Sequence, residues 1–539
     1  MRSSIRTFAT SIIPLLVASM SPSLAAQESA EIPDELLTVA EASHYEATSV
    51  SAEVSRFLKT CDDRADHVSH FEFGRTSLAQ PLPGAIFAQP LVAERPADGR
   101  LVVMLLGNIH SGECDGKEAL LMLARELTLN PDHPWLKKLV IVMVPNYNAD
   151  GNDRMSPDNR PGQIGPLQGM GQRETAQGFD LNRDFVKLDT PEGQALVRLI
   201  DTWNPHVFID CHTTNGSIHR YPLTYAVPHN PACPQVLRDF LRQQMMPDVT
   251  ARMKTAGFDT FYYGNFTPDH SRWESFGFEP RYSTEYLGLR GRIGILSESY
   301  SYTDYKTRVL VSREFVRQCM ESTLTHCDRI ASLLQSIESQ STSAATNPAV
   351  QSLPLDAVMA PFDGKFTVLG RIPDSNEPKD YEVEFWGNFR PTKVINLPFA
   401  YAIPAASERV LANLKNHGLQ LDVLSQPLRT ELTVRTIQSL QRNARPFQSH
   451  NMVRLATTET REIRELPKDT LIIRTAQPLG RLAAWLLEAE TSDGLVTWNY
   501  FDDAIKEGSE FPVLNLDKAV LFPATPKIGR ASCRERVCT

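Results

Sequence analysis

Four short apolar runs, each closed by glycine, proline or polar residues, set the pattern of the first 300 positions. They are Leu101 to Leu106 (LVVMLL), Leu139 to Val144 (LVIVMV), Val207 to Cys211 (VFIDC) and Ile293 to Leu296. Unbroken apolar runs of this length read as strands buried on both faces, as in a sheet covered by helices. Between and after them, Glu118 to Leu129, Pro191 to Trp203, residues 232–256 and Lys306 to Ile337 have helical spacing, with Pro191 suited to a first turn. Residues 27 to about 60 read as a helical lead-in, and residues 70–100 alternate in places and read as two or three strands. Residues 152–178 lack any period and are rich in Gly, Pro, Asn, Gln and Arg, the texture of a long loop that is either functional or disordered. The pattern predicts an α/β domain over residues 27–337, its core at about 70–337, with a mixed central sheet flanked by helices.

Beyond residue 350 the texture changes. Short alternating runs (KFTVLG, YEVEFWG, TELTVRTI, DTLIIRTA) lie between turn residues and predict a smaller β-rich domain over 351–527, with a helix at Leu479 to Leu487. The Ser/Thr-rich stretch within 338–350 reads as a linker. The final segment, 528–539, is short, basic and unlike the rest, and reads as a non-native tail.

Composition narrows the class. Of 539 residues, 42% are hydrophobic and 22% charged, as in a globular protein, and the net charge of −9 argues against a nucleic-acid surface. Arg2 and Arg6, the apolar segment Phe8 to Met20 and the small residues Ser23 and Ala25 form a secretory signal over residues 1–26. The chain is therefore expected to be exported, periplasmic or extracellular, with no membrane span in its mature form. Its eight cysteines include no CxxC pair, so a structural cysteine–zinc site is not expected. Cys114 and Cys211 are expected to pack as small buried residues, with a disulfide as the less favoured alternative.

The chemistry lies at strand ends. His110 and Glu113 follow the run ending at Leu106, and His212 follows the run ending at Cys211. Neighbouring parallel strands would bring both histidines to one rim of the sheet, where ligands bind in open α/β sheets. Two His and one carboxylate leave an open position for water, the pattern of a catalytic zinc.

With further motifs the chain resembles the zinc carboxypeptidase family, the carboxypeptidase A-like metallopeptidases, with their phosphorylase/hydrolase-like fold. The resemblance is carried by His110-Ser-Gly-Glu113, Asn148-Ala-Asp-Gly151, Asp180-Leu-Asn-Arg183, Asp210-Cys-His212 and Glu298, in the family's order. It implies one zinc ion held by His110, Glu113 and His212, and an Asp180 carboxylate that orients His110. It implies that Asn182 and Arg183 grip the terminal carboxylate of a peptide or peptide-like substrate, and that Glu298 is the general base. An arginine of the long loop should stabilise the oxyanion; Arg173 is the choice, with Arg154 and Arg160 as competitors. A capping tyrosine is expected at Tyr286, with Tyr282 as the other candidate. The implied function is metallocarboxypeptidase action. The alternatives are an aspartoacylase-like N-acyl amino acid deacylase, an inactive zinc-fold binding module, and a peptidoglycan amidase or endopeptidase.

Overall fold

The computed structural model describes residues 32–343, 352–373 and 375–528. The expected signal segment, the later part of the expected linker and all but the first residue of the expected tail lie outside the described residues. The helix Cys327–Ser343 continues past the position at which the sequence places the linker.

A mixed eight-stranded sheet forms the centre. Its strands are β1 (Val68–Arg75), β2 (Pro81–Phe87), β3 (Leu101–Gly107), β4 (Leu139–Val144), β5 (Val207–Thr214), β6 (Leu223–Ala226), β7 (Thr260–Tyr262) and, after the short β8 (Asn265–Phe266) and β9 (Arg272–Glu274), β10 (Ile293–Tyr300). The order is β1-β2-β4-β3-β5-β10-β6-β7. The four central strands, β4, β3, β5 and β10, are parallel, which is why they read as continuous apolar runs. Alternate side chains serve opposite cores. Val102, Met104 and Leu106 of β3 join one cluster, and Leu101, Val103 and Leu105 the other. Helices Asp115–Leu129 and Tyr305–Thr325 supply the second cluster, and helix Pro191–Trp203 the first.

Residues 70–100 give two strands, not three, followed by a coil around the Pro-rich segment. The fourth apolar run is longer than its apolar letters. Pairing with β5 continues from Ile293↔Val207 to Tyr300↔Thr214, so the polar Ser297-Glu298-Ser299 are also strand residues.

The C-terminal part is β-rich. β11 (Ser352–Pro361), β12 (Phe366–Arg371) and β13 (Pro378–Asn396) build a small sheet, in which β13 runs parallel to β9. A seven-stranded sheet follows from β14 (Ala400–Ile403), β15 (Leu421–Leu424), β16 (Leu428–Arg442), β17 (Val453–Leu466), β18 (Leu471–Arg474), β19 (Leu514–Leu516) and β20 (Ala524–Ile528). Helix Gly480–Leu487 lies within it, as expected. One face of this part has its own core around Ala400, Leu432 and Ile472, and the other shares its core with the first domain. Trp485, Trp498 and Phe511 share one apolar cluster with Val102, Leu181 and Trp203. Among the described residues no helix is long and apolar enough to cross a membrane.

Candidate metal centre and active-site cleft

The chain turns sharply after β3. Asn108 adopts a left-handed φ of 61° and donates through Nδ2 to Asn146 Oδ1 (2.7 Å) and Asn152 Oδ1 (2.9 Å). The turn delivers His110 and Glu113 to the sheet rim just before helix Asp115–Leu129 begins. His212 reaches the same point from inside β5, whose neighbour Cys211 lies across from Gly107 of β3. That close approach needs room. A Cβ on Gly116, in the first turn of the helix, would sit 2.3 Å from Cys211 Cβ, so the cysteine does pack behind the site. The six described cysteines are unpaired thiols.

His110, Glu113 and His212 are all buried, and each offers a donor atom within 4.8 Å of the others. Among the described residues no other group of His, Cys and carboxylates meets in this way. Nδ1 of each histidine faces the Glu113 carboxylate, at 3.0 Å for His110 and 2.9 Å for His212. The outer nitrogens face other carboxylates: His110 Nε2 lies 2.9 Å from Asp180 Oδ1, and His212 Nε2 lies 3.0 Å from Asp210 Oδ2. Holding His110 Nε2 on the Asp180 carboxylate leaves its Nδ1 free to donate a lone pair, the arrangement metal-ligating histidines use. Two imidazoles and one carboxylate, buried and turned to one point, fit a zinc ion. Burial opposes ionisation of Asp180, but His110, Arg183 and Arg173 outweigh it and hold this carboxyl well below its usual range.

The three donors form the floor of a cleft of about 760 Å³. Its walls carry Arg160, Arg173, Asn182, Arg183, Tyr282 and Glu298. Glu298 stands beside His212 across the β5–β10 ladder, which is why a strand residue can face the same point. Burial pushes its carboxyl up to about 8, and Glu113 and Asp210 add to the rise against His212. A bound dication would draw it back down. Asn182 is fixed by its own backbone, whose N–H donates to Asp180 Oδ1 (2.9 Å), and by Oδ1, which accepts from Ser283 N (3.0 Å). Arg183 packs over the Tyr282 ring at 4.6 Å. Arg173 bridges Asp180 Oδ2 (2.8 Å) and Glu113 Oε1 (3.3 Å). Asn148 Nδ2 donates to Arg173 O (3.0 Å), so the Asn-Ala-Asp-Gly turn props up that loop.

The structure brings together every predicted site residue except one. Tyr286 does not line the cleft. It is fully buried, with its hydroxyl 2.9 Å from His417 Nδ1 and bonded to Arg290, because helix Ser283–Leu289 turns position 286 inward. Tyr282, just before that helix, is the tyrosine at the cleft. Of the competing arginines, Arg160 is also at the metal centre. It donates to Glu113 Oε1 (3.0 Å) and Thr213 O (3.1 Å), and a Cβ on Gly112 would meet its Cδ at 2.3 Å. The glycine makes the space the arginine fills, a pairing 48 residues apart that spacing alone does not show. Arg154 instead reaches Ala176 O near the surface.

Residues 54–257 match the family described as zinc carboxypeptidase. The chain carries a zinc carboxypeptidase domain. Carboxypeptidase 2 of Trichophyton tonsurans is 19% identical over 450 residues, covering 79% of this chain and 78% of that protein. Human carboxypeptidase Z is 29% identical over 177 residues, 31% of this chain and 26% of its own. Among solved structures, the carboxypeptidase A of Helicoverpa armigera aligns with a TM-score of 0.40 at 14% identity, over 53% of this chain and 74% of that one. With that domain and carboxypeptidase relatives, the protein is a zinc metallocarboxypeptidase, a hydrolase of peptide bonds. The comparisons do not favour the deacylase alternative.

Proposed function

We propose that this zinc carboxypeptidase is an exported enzyme that removes residues one at a time from the free C-terminal end of peptides, using a single metal ion. The reading is carried by one observation: the His110, Glu113 and His212 donors converge at the floor of a cleft whose walls hold Arg183 and Glu298. Zinc held there would polarise the scissile carbonyl and acidify the attacking water.

The chain's own residues supply the rest. Asn182 and Arg183 hold the terminal carboxylate, a fork-shaped cation suiting a planar anion. This sets the last peptide bond over the donors and excludes internal bonds. Glu298 takes the proton released as water attacks and returns it to the departing amine. Arg173 stabilises the charge that develops on the carbonyl oxygen. Asp180 keeps the His110 ring in register while Arg160 and Arg173 steady the Glu113 carboxylate. Tyr282, stacked on Arg183, covers the carboxylate end of the substrate. Export rests on the charged, apolar and small-residue order of positions 1–26.

The test is a mass-spectrometric digest of a peptide mixture with and without a zinc chelator, and of the same peptides as C-terminal amides. Stepwise loss from free C-termini, abolished by chelation and absent from the amides, is expected. Cleavage confined to N-acyl amino acids would replace this reading with a deacylase.

A further inference from the structure

The C-terminal part reaches the cleft from both sides. At the tip of the β16–β17 hairpin, Phe447 and His450 pair with each other through both backbone bonds (2.9 and 3.0 Å), leaving Gln448 and Ser449 as a two-residue turn. Both turn residues are left-handed, with φ of 50° and 65°. Such turns favour Asn-Gly, because side chains with a Cβ resist that backbone. Strained residues persist where their surroundings over-determine them. Here the surroundings are explicit. Gln448 Oε1 accepts a hydrogen bond from Asp180 N at 2.9 Å, across 268 residues of sequence. His450 anchors the turn's base, with Nε2 2.7 Å from Asp189 Oδ2 and Nδ1 2.9 Å from Asn499 Oδ1.

The opposite wall is held from the same part of the chain. Asp493, fully buried, accepts from Arg281 N (2.9 Å), pairs with Arg281 Nη2 (2.9 Å) and accepts from Trp498 Nε1 (2.9 Å). Arg281 is also sandwiched near the Phe447 and Trp498 rings, at 5.5 and 5.0 Å. Arg281 precedes Tyr282 and Ser283, which meet Arg183 and Asn182. The residues that grip the substrate therefore lie between two clamps, Gln448 on the Asp180–Arg183 turn and Asp493 on the Arg281–Ser283 segment.

We infer that Gln448 and Asp493 are positioning residues for the substrate-carboxylate subsite, and that the β-rich C-terminal part completes this site. The inference rests on the assignment of Asn182 and Arg183 to the terminal carboxylate. Gln448 acts through Asp180 N, and Asp493 through the Arg281 backbone and guanidinium.

The experiment uses the full chain and a peptide with a free C-terminus that the wild type cleaves. Gln448→Leu keeps the side chain's bulk and removes the acceptor. It should raise KM roughly threefold to tenfold, the worth of one such hydrogen bond, with kcat within about twofold and zinc content unchanged. Gln448→Glu restores an acceptor of the same reach and should recover most of the lost affinity. Asp493→Asn reads the other clamp and should show the same KM-weighted loss, which keeps the inference testable if the leucine variant misfolds. Equal behaviour of the Leu and Glu variants, or parallel loss of kcat and zinc, overturns the inference. Arg183→Ala separates the two levels. If it leaves KM unmoved, the carboxylate assignment fails and takes this inference with it. If it raises KM while Gln448→Leu and Asp493→Asn do not, only the inference fails.

Discussion

Glu298 and Arg183 carry separable parts of the chemistry. Glu298→Gln keeps the size of the side chain and removes the base. It should lower kcat by about 10²–10⁴-fold, the usual worth of general acid–base catalysis, while zinc content stays at the wild-type level. Steady-state kinetics with metal analysis checks both halves. Arg183→Ala removes a charge-assisted bond worth about 1.5–3 kcal/mol, so KM should rise about 10- to 100-fold with a smaller effect on kcat. Equal loss in kcat alone would place Arg183 in the transition state instead. At this scale the sequence was legible where residue type and order are themselves the chemistry. His110, Glu113, His212 and Glu298 stand out because few side chains bind zinc or move protons. Tyr286 was misplaced because two tyrosines four residues apart in the chain differ only in which way a short helix turns them. Arg160 and Gln448 left no local signal, since each matters through a partner distant in sequence.

Strands β3, β4 and β5 were readable because both their faces are buried and every position must be apolar. The apolar pattern ends β10 too early because its last residues are polar: Glu298 faces the cleft, and Ser299 donates to the buried Asp115 Oδ2 at 2.7 Å. The packing between β5 and helix Asp115–Leu129 is a sharp test of this layer. Gly116→Ala drives a Cβ to 2.3 Å from Cys211 Cβ and should cost about 1–3 kcal/mol by overpacking, read as a lower denaturant midpoint. No loss would mean the helix can retreat. Helix Ser283–Leu289 carries a second test. Burial pushes the Glu285 carboxyl up to about 8, with Glu279 adding to the rise, although the N–H groups of His229 and Asn230 favour its charged form. A folded value above the unfolded one of about 4.5 means a contribution fully present below pH 4.5 and lost as pH rises through about 8. Glu285→Gln removes that dependence. Its stability relative to wild type should therefore improve between pH 5 and pH 8 in urea unfolding; a constant difference across that range would contradict the assignment.

The molecule as a whole is knitted by its first apolar cluster, which joins β3, helix Pro191–Trp203 and the C-terminal Trp485, Trp498 and Phe511. The change of texture near residue 350 was visible in the sequence, but the shared core was not, because periodicity reports that a face is apolar and not what covers it. A chain ended at Ser343 would expose that face and should show no cooperative unfolding transition by calorimetry. A cooperative, active fragment would show that the two parts fold independently. The whole proposal depends on His110 and Glu113 from the β3 turn and His212 from β5 holding one catalytic zinc. Metal analysis of the purified protein should find one zinc per wild-type chain and less than a tenth of that in a folded His110→Ala/His212→Ala variant. Equimolar zinc retained by that variant would rule the metal site out.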